Sequence, residues 1–303
     1  MGTRVNTPAN HILVYRNNKN NTFQPTWKSN ENKVGRRVAL ADFNRDGYLD
    51  ILVANESPTS ATDIYASTTT NATGFKSIYS VAAGPFRIAV AAGDFDNDRR
   101  MDFVIGEGAW VDHDVEVYFS DNDSGSKFTS YTMAATKKPY RDVAVGDLDK
   151  DGYADIAIAA DMGGQIKVFR NNGNRTFSQV WASTKTSNFQ AVAFGDYDKD
   201  GWLDILAGDL NGVPIVYRST STKDGIGFKV AFEGISAATR GAAWGDLNND
   251  GRLDFVLANE AQTNSKYIAD SVVSSNAAPS PPTGLLTSPQ ERLLRFGGLT
   301  VLI

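Results

Sequence analysis

Short hydrophobic segments alternate with polar segments along most of the chain. Residues 11–15 read HILVY, residues 143–146 read VAVG and residues 155–160 read DIAIAA. Such segments are rich in β-branched residues, and clusters of Gly, Asn, Asp and Ser separate them, which is the pattern of strands joined by turns. The sequence therefore predicts an all-β protein.

The predicted strands group into units of four. In the third unit, one strand enters an acidic loop, a second leaves it, and residues 165–181, QIKVFRNNGNRTFSQVW, add a hairpin with an Asn- and Gly-rich turn. Residues 11–27 form a similar hairpin before the first unit. Looser versions of the hairpin lie at 63–79, 114–131 and 213–232.

The acidic loop is the most regular feature of each unit. In the third unit it places Asp147, Asp149, Asp151 and Asp155 around Gly152, directly before a β-type segment. A hard cation such as Ca²⁺ takes about six to eight oxygen ligands, so a short loop must turn several oxygens inward, and a glycine lets the backbone bend sharply. An EF-hand would need helical flanks and a Glu at its twelfth position. This loop has Ile158 there, which favours a strand–loop–strand cation site.

Five such segments, loops 1 to 5, lie at residues 42–50, 94–102, 147–155, 196–204 and 246–254. Their first aspartates are 52, 53, 49 and 50 residues apart, a regularity that favours metal binding over solvated acidic turns. The predicted side-chain ligands at positions 1, 3, 5 and 9 are Asp42, Asn44, Asp46 and Asp50; Asp94, Asp96, Asp98 and Asp102; Asp147, Asp149, Asp151 and Asp155; Asp196, Asp198, Asp200 and Asp204; and Asp246, Asn248, Asp250 and Asp254. The predicted backbone carbonyl ligands at position 7 are those of Tyr48, Arg100, Tyr153, Trp202 and Arg252.

Four-stranded units repeated at about 50-residue intervals are typical of β-propeller blades. In its loops, flanking strands and period, the chain resembles the FG-GAP and VCBS-type repeat family over roughly residues 34–258. That family includes integrin-type propellers and many secreted microbial propellers. The resemblance implies up to five Ca²⁺ ions, one between the first and second strands of each blade. Arg99 replaces the glycine in loop 2, so we expect that site to be distorted or empty.

Three regions follow along the chain. We expect an extended or disordered N-terminus at 1–10, a propeller at 11–273, and a Pro- and Ser-rich linker with a tail at 274–303. The hairpin at 11–27 resembles the outer half of a blade, while the fifth unit has a poor outer half. Joining the two predicts five blades closed by strands from both termini, which leaves no open sheet edge. The alternative is part of a larger ring, or an open array completed by another chain. The tail either has no structural role or gives a strand to a neighbouring subunit.

The composition and the predicted Ca²⁺ sites favour an extracellular location for the protein. Of the 35 acidic residues, 18 are predicted ligands, so five divalent ions would change the formal charge from −5 to +5. The chain has no cysteine, which excludes disulfides, and no apolar stretch approaches the roughly 18 residues of a membrane helix. Residues 1–15 lack a secretory signal pattern, so we expect any signal to have been removed already. Ca²⁺ is abundant outside cells, so carboxylate-rich sites with weak affinity for Ca²⁺ would be occupied there.

Catalytic motifs are scarce. The two histidines are His11 and His113, and the sequence has no nucleophile elbow, HExxH zinc motif or phosphate-binding glycine loop. The aspartates could imitate a glycosidase pair, but metal binding already explains their spacing. A non-enzymatic role is therefore favoured, with a polysaccharide lyase as the enzymatic alternative. Nucleic acid binding is not expected, because the basic residues form no continuous stripe.

A second candidate site lies at the start of the strands that enter the loops. Arginines stand five to seven residues before four of the loops, and Gln190 takes that place before loop 4. Their guanidinium groups could recognise carboxylate or sulfate, and adjacent aromatic rings could stack on sugars. Alternatively, each arginine pairs with a neighbouring blade, for example through Asp142. The predicted ligand-binding residues are Arg36, Arg87, Tyr140, Arg141, Gln190 and Arg240, with Arg37, Phe86 and Phe189 beside them.

The sequence thus predicts a secreted or cell-surface, Ca²⁺-stabilised propeller that acts as a binding or adhesion module for a glycan or an extracellular protein. A lectin-like, carbohydrate-binding role is one form of this hypothesis. The alternatives are a structural subunit of a surface layer or filament that self-associates through the tail, and the lyase.

Overall fold

A computed structural model describes residues 11–31, 35–57, 59–69, 73–82, 84, 86–108, 115–133 and 138–269, and the backbone of 293–296 and 299–302. All regular elements in these ranges are β-strands, which confirms the all-β prediction. No helix with the length and hydropathy to cross a bilayer occurs among the residues described. The extended N-terminus predicted at 1–10, His113 and most of the predicted tail lie outside these ranges.

The strands pair antiparallel throughout the described part of the chain. A two-stranded sheet contains β1 (Leu13–Asn17) and β2 (Phe23–Lys28). Blade 1 contains β3 (Gly35–Ala41), β4 (Asp50–Asn55), β5 (Thr62–Ser67) and β6 (Phe75–Val81); blade 2 contains β7 (Arg87–Gly93), β8 (Asp102–Glu107), β9 (Val115–Ser120) and β10 (Phe128–Met133). Blade 3 contains β11 (Tyr140–Gly146), β12 (Asp155–Ala160), β13 (Ile166–Asn171) and β14 (Phe177–Ala182); blade 4 contains β15 (Phe189–Gly195), β16 (Asp204–Asp209), β17 (Ile215–Ser219) and β18 (Phe228–Glu233). Blade 5 contains β19 (Thr239–Gly245), β20 (Asp254–Asn259) and β21 (Ser265–Ala269), followed in the sheet by β23 (Leu299–Leu302) and β22 (Leu293–Phe296).

The first strand of each blade is its innermost strand. β3, β7, β11, β15 and β19 lie side by side in chain order, and each sheet then extends outward through its second and third strands. This arrangement confirms the predicted β-propeller of four-stranded blades. The inner strands are rich in small residues, which suits this arrangement because these strands crowd together near the ring axis.

Hydrophobic contacts between successive blades hold the ring together. Leu52 and Ala54 of blade 1 belong to one buried cluster with Val90 and Phe103 of blade 2, and similar clusters join the following blades. Burying each large apolar side chain contributes roughly 1.5 to 3 kcal/mol, so every interface between blades is strongly stabilising.

Closure of the ring differs from the prediction. β21 pairs with β20 on one side and β23 on the other, so residues 265–269 fill the third-strand position of blade 5, and the N-terminal hairpin forms a separate sheet. Trp27 of β2 packs against Tyr65 and Phe75 of blade 1, with ring centroids 5.5 and 5.1 Å apart. Trp181 of β14 packs on blade 4 in the same way. The hairpin therefore lies where the outer half of a preceding blade would lie, as predicted, but no hydrogen-bonded ladder joins it to blade 5 among the described strands.

The two ends of the ring expose apolar side chains that other blades bury. Val38 on β3 is 60% exposed and Leu40 is 58% exposed, whereas the residues equivalent to Val38 in blades 2, 3 and 4 are 4% to 7% exposed. Val256 on β20 is 39% exposed, whereas its equivalents in the other four blades are fully buried. The face of blade 1 that points away from blade 2, and the face of blade 5 that points away from blade 4, thus lack the cover that a neighbouring blade gives elsewhere. The equivalent residues are Val90, Val143 and Val192 for Val38, and Leu52, Val104, Ala157 and Leu206 for Val256.

Candidate metal loops and the arginine-lined pocket

Backbone hydrogen bonds shape each acidic loop. In loop 3, Asp147 accepts bonds from the amides of Asp151 (3.2 Å) and Gly152 (3.0 Å), and Asp151 accepts one from the amide of Tyr153 (2.9 Å). The bonds from positions 6 and 7 recur in all five loops. The backbone thus wraps around the carboxylates at positions 1, 3 and 5 and gathers them on one side.

The aspartate at position 9 connects each loop to the third strand of its blade. Asp155 is fully buried, and its two carboxylate oxygens accept bonds from the amides of Leu148 and Asn171, both at 2.8 Å. The same pair of bonds occurs in the other four loops. Sequence reasoning missed this role because the third-strand donor is a backbone amide, which any residue other than proline provides.

Burial affects the ionisation of these aspartates. Desolvation raises the pKa of Asp102, Asp155 and Asp204 to about 7, although two backbone hydrogen bonds to each carboxylate act in the opposite direction. Nearby loop aspartates raise these pKa values further by repulsion. A divalent cation in the loop would favour the charged form of each group and lower its pKa.

Three loops bring carboxylates close enough to share one ion. In loops 2, 3 and 4, oxygens from positions 1, 3 and 9 lie within 4.8 Å of one another. Loops 1 and 5 have asparagine at position 3, which supplies an amide oxygen instead. An all-oxygen donor set matches the ligand preference of Ca²⁺, so the residues present fit this ion. The carbonyl ligands at position 7 remain predictions. The residues in these three clusters are Asp94, Asp96 and Asp102; Asp147, Asp149 and Asp155; and Asp196, Asp198 and Asp204.

The expected distortion of loop 2 is absent from its backbone. Arg99 adopts the left-handed conformation, with φ of 67°, and its amide donates to Asp94 at 2.8 Å, as the glycine amides do in the other loops. The residue at position 4, such as Asn97 with φ of 60°, is also left-handed in every loop. A non-glycine side chain adopts this conformation at a cost of roughly 1 to 2 kcal/mol, so loop 2 keeps its shape under strain.

A pocket lies at the opposite ends of the inner strands, away from the loops. It has a volume of about 520 Å³, and residues from all five inner strands contribute to it. Arg36, Arg141, Gln190 and Arg240, four of the six predicted ligand-binding residues, line it. The full lining is Arg36, Arg37, Ile88, Arg141, Gln190, Arg240 and Glu260.

Two predicted residues do not line this pocket. Arg87, the first residue of β7 in blade 2, is buried and donates a hydrogen bond to the backbone carbonyl of Ala82. Tyr140 is fully buried in the core between blades 2 and 3. Phe189 is fully buried as well. The proposed stacking of Tyr140 and Phe189 on sugars is therefore wrong, because alternation along a strand directs these rings into the interfaces between blades.

Three of the four arginines that line the pocket are paired with carboxylates of their own blades. Arg141 contacts Asp161 at 2.7 Å, and Arg240 contacts Glu260 at 2.7 Å. Arg36 contacts Glu56 at 3.1 Å. In each pair the acid follows the arginine by 20 residues, a spacing that the sequence shows but that our reasoning missed.

One ion pair crosses the ring. Arg37 of blade 1 contacts Asp142 of blade 3 at 3.2 Å and donates to the backbone carbonyl of Gln190 in blade 4 at 3.3 Å. Asp142 therefore pairs with an arginine of another blade, although blade 1 is not a neighbour of blade 3. Desolvation raises the pKa of Asp142 to about 6, while Arg37 and the amides of Val192 and Val143 oppose this shift.

Gln190 interrupts the pattern of arginine–acid pairs. It is 4% exposed, its carboxamide oxygen accepts a bond from Arg240 at 2.8 Å, and its Nε2 atom has no hydrogen-bond partner among the described residues. Leu210 stands where blades 1, 3 and 5 place an acid. The pocket thus contains one buried donor whose hydrogen-bonding capacity is not used.

Comparison with known proteins agrees with this geometry. Five matches to the FG-GAP-like repeat lie at residues 5–53, 42–105, 108–158, 151–207 and 196–257. The chain belongs to the FG-GAP-like repeat family. Among the similar proteins of this FG-GAP-like chain are integrin alpha-5 of Xenopus laevis and cartilage acidic protein 1 of Mus musculus. The first is 26% identical over 213 residues, which are 60% of this chain and 20% of the relative. The second is 27% identical over 198 residues, which are 56% of this chain and 28% of the relative, so the chain spans under a third of either protein.

Proposed function

We propose that this FG-GAP-like protein is an extracellular, calcium-stabilised β-propeller that binds a glycan or protein ligand through its arginine-lined pocket. The observation that supports this most directly is the convergence of all five inner strands on one pocket, opposite the acidic loops. The loops and the pocket would have different roles: the loops would bind ions that stabilise the blades, and the pocket would contact the ligand.

Donor groups dominate the pocket. Arg36 and Arg240 are about half-exposed, and Gln190 adds a buried Nε2 donor. Exposed arginine–carboxylate pairs such as Arg240–Glu260 contribute only about 0 to 1 kcal/mol, so a ligand carboxylate or sulfate can replace Glu260 at small cost. A guanidinium group binds such oxyanions through two parallel hydrogen bonds. An acidic glycan or an acidic protein segment therefore fits best.

The relatives favour binding over catalysis. One is named as an integrin subunit and the other for cartilage, an extracellular tissue. Because the chain covers a small part of each relative, their activities as whole proteins are not transferred to it.

An array of acidic and neutral glycans, together with acidic peptides, probed with Ca²⁺ and with EDTA, would test this function. We expect binding to oxyanion-bearing ligands in Ca²⁺. Replacing Arg240 with Ala should weaken it at least about tenfold, since a charge-assisted hydrogen bond contributes roughly 1.5 to 3 kcal/mol. Lys229→Ala, on the exposed outer strand β18, is the matched control. Equal binding by the Arg36→Ala, Arg240→Ala and wild-type proteins would refute the assignment of the pocket.

A further inference from the structure

Arginines from outside the loops contact the ligand positions of loops 3 and 4. Arg170 on β13 contacts Asp149 at 2.5 Å and Asp151 at 2.9 Å. Arg218 occupies the same position on β17 and contacts the corresponding aspartates of loop 4, positions 3 and 5, the latter at 3.0 Å. Each arginine thus lies on the third strand of its blade and bridges two carboxylates that the metal would also need.

Loop 2 obtains its arginine from the neighbouring blade. The equivalent third-strand position of blade 2 is Phe119, which has no charge. Arg175, from the turn between β13 and β14 of blade 3, packs over the Phe119 ring at 5.1 Å and contacts Asp96 at 2.6 Å. It also lies 3.8 Å from Asp98. A guanidinium group therefore reaches positions 3 and 5 of loop 2 by a different route.

Loops 1 and 5 differ from the other three in a consistent way. At position 3 they have Asn44 and Asn248, whose amide groups donate to the position-5 aspartates at 3.0 and 2.9 Å. Their third-strand positions hold Ala66 and Ile268. Within the described residues, an arginine from outside the loop accompanies every aspartate at position 3 and neither asparagine.

We infer that Arg170, Arg175 and Arg218 are built-in counterions that balance the additional carboxylate of loops 3, 2 and 4. They hold these loops closed when no ion is bound and weaken the attraction of the loops for Ca²⁺. Loops 3 and 4 then offer the ion an excess of three carboxylates, as loops 1 and 5 do, whereas in loop 2 Arg100 of the loop itself also contacts Asp98 and lowers the excess further. This inference rests on the proposed binding of Ca²⁺ by the loops. A guanidinium charge about 6 Å from a divalent ion, in a water-like dielectric, changes its affinity about tenfold.

Substitution of Arg218 tests the inference in a loop with a built-in optical probe. Trp202 lies within loop 4, so it can sensitise the luminescence of bound Tb³⁺, and the Tb³⁺ concentration for half-maximal luminescence should fall by more than about tenfold in Arg218→Gln, because Tb³⁺ carries three charges. We expect Arg218→Gln to lower the dissociation constant for Ca²⁺, titrated directly by calorimetry, about tenfold and to lower the melting temperature in EDTA. Arg218→Lys retains the positive charge and should shift both quantities less. The control is Arg16→Gln, because Arg16 has the same position in β1, whose sheet contains no acidic loop.

The reverse change is available in loop 5. Asn248→Asp adds a carboxylate without an arginine, so it should lower the melting temperature in EDTA and tighten Ca²⁺ binding. If Arg218→Gln weakens or does not change Ca²⁺ binding, the arginine positions ligands or is neutral, and the inference is wrong. If the wild type binds neither Tb³⁺ nor Ca²⁺, the proposed function fails. The melting temperatures in EDTA would still decide whether the arginines balance the loops, and equal values for Arg218→Gln and Arg16→Gln would overturn that role.

Discussion

Removal of divalent ions should destabilise the whole propeller. Each of the five loops gathers carboxylates at positions 1, 5 and 9, and in loops 2 to 4 also at position 3. With dissociation constants of about 10⁻⁴ to 10⁻³ M, a Ca²⁺ concentration of about 10 mM stabilises each loop by roughly 1.4 to 2.7 kcal/mol. Five independent loops would together contribute about 7 to 14 kcal/mol, comparable with the total stability of a typical domain.

Thermal unfolding monitored by circular dichroism is a suitable assay. For a ring of this size, 1 kcal/mol corresponds to roughly 2 to 4 °C in Tm, so we expect EDTA to lower Tm by at least about 15 °C. Mg²⁺ should restore less of the loss than Ca²⁺, because it requires a near-octahedral shell and gives up its water reluctantly. A Tm in EDTA that equals the Tm in Ca²⁺ would refute the assignment of the loops as ion sites.

Three sets of substitutions test other parts of the structure. Arg99→Gly should stabilise the protein by about 0.5 to 1 kcal/mol in urea denaturation, because glycine relieves the left-handed strain but loses more backbone entropy on folding. Gly152→Ala should destabilise the protein, and effects of the opposite sign would contradict the strain argument. Val90→Ala should lower the free energy of unfolding by about 2 kcal/mol, whereas Val38→Ala, at the exposed equivalent position, should lower it by under about 0.5 kcal/mol. Similar losses for the two variants would show that this face of blade 1 is covered in solution. The pKa of Asp142 is about 6 in the folded protein, above its ordinary value of 3.8, so the folded state binds more protons than the unfolded state between these values. The wild type should therefore lose up to about 3 kcal/mol of stability relative to Asp142→Asn as the pH rises from 4 to 7, and parallel pH–stability curves would exclude this burial effect.

The sequence by itself determined the number of loop-bearing repeats, the position of each loop and the residues that could hold an ion. Strand alternation and the spacing of aspartates are local properties, and a repeat samples them five times, so errors in one copy are corrected by the others. The expectation that loop 2 would be distorted was wrong, because it treated the preference for glycine at the sixth loop position as a requirement. Arg99 adopts the backbone conformation expected for glycine, because the surrounding hydrogen bonds outweigh a strain of about 1 to 2 kcal/mol.

Only the tertiary structure decided which charges meet. Arg175 reaches loop 2 from the next blade, and Arg37 crosses the ring to Asp142, contacts between residues that are far apart in the chain. The side of the strand on which Tyr140 lies, and the pairing of β21 with β23, were likewise settled by packing. Local periodicity specifies which face of a strand is apolar, but the partner on that face depends on how the blades are arranged around the axis.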